Sequence, residues 1–143
     1  MKINIIYESQ FGNGKKVVEE LAAILEEKGQ DVSLFPVAEI RPDELPAADL
    51  YIFSSPTRKF MLPLTMKRFI KRFDPPSEDI KYALMTTFMD PRTIALKKME
   101  ALMSVKGIKK AADDFKVKAL GLKGPLEDNY GARLEKFADE LIK

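Results

Sequence analysis

The chain contains no cysteine, no histidine and no tryptophan. Without cysteine it holds no disulfide, no thiol nucleophile and no thiolate-ligated iron–sulfur cluster. Without histidine it has no Ser-His-Asp triad, no imidazole zinc ligand and no side chain whose ordinary pKa lies near 7. Glycine is also scarce, with none between Gly29 and Gly107. Any chemistry therefore falls to carboxylates, lysines, hydroxyls or a borrowed cofactor.

Net charge of either sign is small, because 24 Lys and Arg face 22 Asp and Glu. A balance of +2 argues against a nucleic-acid binder, which concentrates far more positive charge. Long apolar runs are missing too. The stretch from Ile3 to Tyr7 is much shorter than a signal-peptide core or a membrane span. The expectation is a cytoplasmic protein with no membrane partner, and residues 1–143 form a single domain.

What is present is an alternation of short apolar runs and longer segments of helical period. Ile3 to Tyr7, Val32 to Phe35, Leu50 to Ser54, Ile80 to Thr86 and Phe115 to Leu122 read as strands. Asn13 to Lys28, Leu64 to Phe73, Thr93 to Lys106 and Tyr130 to Ile142 read as helices. The last has Leu134, Phe137, Ala138, Leu141 and Ile142 on one stripe. Val37 to Ala48 lies among Pro36, Pro42 and Pro46 and reads as loop or broken turn. Such alternation predicts an α/β fold with a parallel sheet covered on both faces, and the unbroken apolar strands agree. In the five-stranded doubly wound order 2-1-3-4-5, ligands lie beyond the carboxyl ends of the strands, where the order reverses. The loops after Tyr7, Ser54 and Thr86 are then the places to look.

The first of these loops is Ser9-Gln10-Phe11-Gly12-Asn13-Gly14-Lys15. It joins a buried strand to a helix whose first N–H groups and dipole suit a phosphate. Its glycines let the backbone approach an anion, while Ser9, Asn13 and Lys15 add a hydroxyl, an amide and a charge. The alternative is a plain strand-to-helix turn with Asn13 as cap. A nucleotidase P-loop is excluded, since Ser9 stands where its first glycine belongs and Lys16 where its Ser or Thr belongs. A dinucleotide fingerprint is excluded by Val17 in place of the third glycine.

These residues resemble a family. Ser9-Gln10-Phe11-Gly12-Asn13-Gly14 is similar to the phosphate loop of flavodoxins, Ser/Thr-x-Thr-Gly-Asn-Thr. Ser54-Ser55-Pro56-Thr57-Arg58 resembles the Ser-Pro-Thr-Arg loop of flavodoxins and of quinone reductases of the tryptophan-repressor-binding-protein type. The resemblance spans the chain in length and element order. It implies a flavodoxin-like doubly wound sheet of the short form, binding flavin mononucleotide (FMN) and carrying electrons. Phe11 and Gly14 replace two of the family's hydroxyls. Losing two such hydrogen bonds weakens phosphate binding by roughly 1–3 kcal/mol, or about ten- to hundredfold.

By the same resemblance, Pro56, Thr57, Arg58, Lys59 and Phe60 cover the flavin ring, with Phe60 stacking on it or entering the core. Family members often carry a glycine here whose peptide reverses toward the ring. This loop has none, so left-handed backbone would have to form at ordinary residues. Thr87, Phe88, Met89 and Asp90 form the opposite wall, Phe88 as an aromatic platform or core plug. Asp90 either repels the reduced flavin or caps the helix beyond Pro91. A phosphorylated receiver domain shares the fold, but Ser54-Ser55 stands where it needs its acceptor aspartate.

A FMN-dependent NAD(P)H:quinone oxidoreductase and a flavin-free interaction module remain alternatives, to be separated by protein colour and FMN titration. The segment Thr57 to Phe73 carries Arg58, Lys59, Lys67, Arg68, Lys71 and Arg72 and no acid. Lys67, Arg68, Lys71 and Arg72 share one helical face. The expected redox partner is acidic, docking near Arg58, Lys59, Lys67 and Lys71; the alternative is a merely solvated face.

Overall fold

Continuous apolar runs in the strands are buried on both sides, because two layers of helices enclose one sheet. The computed structural model describes residues 1–143. Its order is β1 (Lys2–Tyr7), α1 (Asn13–Glu27), β2 (Asp31–Pro36), a 3-10 turn at Pro42–Glu44, β3 (Leu50–Pro56), α2 (Leu64–Arg72) and β4 (Lys81–Phe88). Then come α3 (Ala95–Met103) with a 3-10 turn at Ser104–Lys106, β5 (Lys109–Lys110), β6 (Phe115–Lys118) and α4 (Tyr130–Leu141). All strand pairs are parallel, in the order β2-β1-β3-β4-β5, with β6 also paired to β4. The sheet is thus the 2-1-3-4-5 arrangement with its fifth place filled in two pieces.

Side chains alternate across each strand and feed separate cores. Ile3, Ile5 and Ile52 pack with Val17, Leu21 and Leu25 of α1 and Leu134, Phe137 and Leu141 of α4. Ile6, Tyr51 and Phe53 face the other way, toward Met66, Phe69 and Ile70 of α2 and Met99 and Met103 of α3. Each fully buried aliphatic or aromatic side chain contributes roughly 1.5–3 kcal/mol. Between β2 and β3 the prolines leave only the 3-10 turn, as the loop reading of that segment expected.

Four elements differ most from expectation in their boundaries. β3 and β4 run on to Pro56 and Phe88, paired through Ser55–Thr86 and Pro56–Thr87. This carries their loops together beyond the sheet. The helix expected from Thr93 to Lys106 is α-helical only over Ala95–Met103. The strand expected from Phe115 to Leu122 stops at Lys118, because the chain folds back on itself. Leu120 N–H donates to the Pro125 carbonyl at 2.8 Å, and Ala119 bridges Leu126 in antiparallel fashion.

The turn after β3 shows what the absence of glycine does and does not prevent. Arg58 and Met61 exchange N–H to carbonyl bonds of 2.9 and 2.8 Å, closing a two-residue hairpin. Its central residues, Lys59 and Phe60, lie at φ 48° and 59°. This is the hand of a type I′ turn, which favours Asn-Gly at those positions. The hairpin bonds, the Ile94 N–H donated to the Phe60 carbonyl at 2.8 Å, and the Arg92 guanidinium 5.6 Å from the Phe60 ring centre hold it there. Replacing Lys59-Phe60 with Asn-Gly is expected to raise stability by about 0.5–1 kcal/mol. Urea unfolding checks this, and a fall in midpoint would mean the Phe60 contacts outweigh the backbone strain.

Candidate functional site

The carboxyl ends of β1, β3 and β4 meet where the strand order reverses, and there the surface opens into a cleft of about 340 Å³. That is within the size range of small-molecule sites. Its lining takes Ser9, Gln10, Phe11, Asn13 and Gly14 from the first loop, Pro56, Thr57, Arg58, Lys59 and Phe60 from the second, and Thr87, Phe88, Met89 and Asp90 from the third. Segments some 80 residues apart in sequence thus form one surface.

Two expected residues lie elsewhere. Gly12 and Lys15 border a neighbouring hollow with Tyr7, Glu8, Ser9, Pro36, Val37 and Ala38. Gly12 takes the left-handed conformation (φ 97°) where the loop passes into α1. Two further residues enter the cleft from the fold-back after β6, Ala119 and Leu122. The glycines of Gly121-Leu122-Lys123-Gly124 are the sequence signal that a turn, not a strand, occupies this place.

The end of the cleft formed by the first loop is rich in donors. Ser9 Oγ accepts the N–H of Gly12 at 3.2 Å and that of Lys15 at 3.1 Å. Lys16 N–H bonds the Gly12 carbonyl. The N–H groups of Asn13 and Gly14 have no acceptor within the protein and sit at the positive end of α1. Packing at Gly14 is tight, since a Cβ there would lie 3.2 Å from the Glu8 carbonyl oxygen. The Asn13 side chain neither caps the helix nor stands free. It donates to the Leu122 carbonyl at 3.0 Å and ties the first loop to the fold-back.

The opposite end is apolar. Phe60 and Met89 stand exposed there, with Met61 beside Phe60, while Phe11 and Leu122 are exposed at the first-loop end, where Asn13 meets Leu122. Exposed apolar side chains gathered beside a cleft are what a bound ligand or partner would cover. Phe60 has therefore not entered the core. Phe88 is half-buried, with Lys116 Nζ 5.8 Å from its ring centre. The Thr57 hydroxyl is held by those of Thr86 and Thr93 at 3.0 and 2.7 Å, which fixes the two walls relative to each other.

Charges near the cleft are mostly paired. Asp90 does not cap α3; its carboxylate grips Arg92, with contacts of 3.1, 3.2 and 2.7 Å, and accepts the Arg92 backbone N–H. The Arg92 side chain and N–H hold the Asp90 pKa down at about 2. Arg58 reaches back from the cleft to Glu8, Nη2 to Oε2 at 3.3 Å. Sequence reasoning missed Glu8 as a site-related residue. Burial pushes its pKa up against the opposing pull of Arg58 and the Met66 backbone N–H.

A doubly wound parallel sheet with a cleft at its switch point is the arrangement in which open α/β proteins hold their ligands. The flavodoxin domain model matches residues 4–125. The chain belongs to the flavodoxin domain family, whose members bind flavin and pass electrons to redox partners. Among solved structures, the flavodoxin of Streptococcus pneumoniae TIGR4 superimposes with a TM-score of 0.84 at 21% identity, over 99% of this chain and 98% of that one. Flavodoxin 2 of Bacillus cereus does so at 0.84 and 19% identity, again over 99% and 98%. The rubredoxin oxygen:oxidoreductase of Desulfovibrio gigas aligns at 0.80 and 20% identity, over 98% of this chain and 35% of that one. These likenesses establish the fold. No curated protein matches the sequence.

Proposed function

We propose that the cleft binds FMN and that the protein is a small electron carrier. The observation that carries this reading is the polarity of the single cleft. Free Asn13 and Gly14 N–H groups lie at one end, and Phe60, Phe88 and Met89 at the other. These residues fit the group: the start of α1 would hold a terminal phosphate, and the aromatic and methionine side chains would flank a flat ring. FMN supplies one-electron redox chemistry when bound; the chain binds and orients it and sets its electrostatic surroundings.

The proposal extends to the partner. Lys67, Arg68, Lys71 and Arg72 take part in no ion pair, and Met66, Phe69 and Ile70 bury the other side of α2. Arg58 is excluded from this free set because Glu8 engages it. An acidic redox protein is the complementary partner, guided by Lys59 and α2 to the exposed apolar mouth.

Titration with FMN tests the cofactor. Binding of one equivalent with a shifted flavin spectrum is expected, with riboflavin about ten- to hundredfold weaker because it lacks the charge-assisted phosphate bonds. No spectral change at millimolar FMN overturns the reading. Turnover of NADH with a quinone by the loaded protein would instead make it an oxidoreductase.

A further inference from the structure

Glu8 is a largely buried acid with an unpartnered oxygen that the binding reading leaves unused. It ends the first strand's loop side, in the hollow behind the cleft wall, with its side chain only 12% exposed. Its Oε1 is buried and bonds to nothing. A carboxylate in that state is unfavourable, because burial removes water that nothing fully replaces. The only formal charge bonded to it is Arg58, at a loose 3.3 Å. Arg58 belongs to two places at once: its side chain lines the cleft, half exposed, while Nη2 reaches back to Glu8.

We propose that Glu8 is a proton-taking residue coupled to the cleft, so that an anionic ligand binding there draws Arg58 toward itself and leaves Glu8 to be protonated from solvent. This rests on the FMN reading, since the ligand invoked is an anion in the same cleft. The proton adds to a Glu8 oxygen, and no other bond is made or broken. Every element packed around Glu8 leaves this direction open. Arg58 comes from the turn after β3, and the Met66 N–H from α2 also favours the charged form. Lys15 of α1 shares the hollow, and Pro36, Val37 and Ala38 close it with uncharged groups. Weakening the Arg58 contact therefore tips Glu8 toward its neutral form.

Calorimetry of FMN binding to the full chain, in two buffers of different ionisation enthalpy near pH 6, tests this directly. The wild type is expected to take up a larger fraction of one proton than Glu8→Gln. The ligand's phosphate titrates equally in both and cancels in the difference. FMN affinity of the wild type should also fall more steeply than that of Glu8→Gln between pH 5 and 8. About tenfold is expected for each unit by which FMN raises the Glu8 pKa. NMR titration of the Glu8 carboxyl supplies a reading that needs no Glu8 variant: FMN, or Arg58→Gln in the free protein, should each move it upward. Equal proton uptake by wild type and Glu8→Gln, or a Glu8 titration indifferent to FMN, overturns the coupling while leaving FMN binding intact. Failure of the wild type to bind FMN at all overturns the cofactor reading instead, and the coupling with it.

Discussion

Gly12→Val is expected to weaken FMN binding by about thirtyfold while the protein still folds. Gly12 sits at φ 97°, in the left-handed region, just before α1. A Cβ there meets nothing within 4 Å, so the substitution creates no clash. Its effect is conformational, and for a β-branched residue it is on the order of 2 kcal/mol. If the loop keeps its shape, that strain appears as lost folding stability. If it relaxes, the Gly12 N–H leaves Ser9 Oγ and the first turn of α1 loses its arrangement. Binding must then restore the strained loop, and 2 kcal/mol corresponds to about thirtyfold in affinity. The Gly12 loop is exposed, and exposed loops relax readily, so most of the effect should fall on binding. FMN titration and urea unfolding of the same variant divide the two. An unchanged affinity together with an unchanged midpoint would show that the left-handed turn matters to neither.

The second large effect concerns rate. Reversing Lys67 and Lys71 to Glu changes the charge of the exposed side of α2 by four units without touching Met66, Phe69 or Ile70. In the FMN-loaded protein, oxidation of the reduced form by ferricyanide, a small anionic acceptor, should slow about tenfold at low ionic strength. A cationic acceptor such as hexaammineruthenium(III) should speed up. Both differences should fade near 1 M salt, where the Debye length is about 3 Å. Thermal stability should change by only about 0.5 kcal/mol, as for most exposed substitutions. If ferricyanide oxidises wild type and variant equally fast at low salt, the basic side of α2 is only a solvated face.

The amino-acid sequence alone determined the α/β layering and the loops that carry the cleft. Unbroken apolar strands such as Leu50 to Phe53 can be satisfied only between two layers, and the 3.6-residue stripe of α4 fixes which side it buries. The parallel order then brings the loops after β1, β3 and β4 to one edge, and fourteen of the sixteen expected residues line one cleft there. What each polar group does there was decided by tertiary structure. Asn13 bonds a carbonyl 109 residues away, and Arg58 a carboxylate 50 residues away. Periodicity records which face of an element is apolar; it carries no record of which distant partner a donor meets. Lys59 and Phe60 are the same case in the backbone: propensity steers them from positive φ, and Arg92, Ile94 and the Arg58–Met61 bonds hold them there.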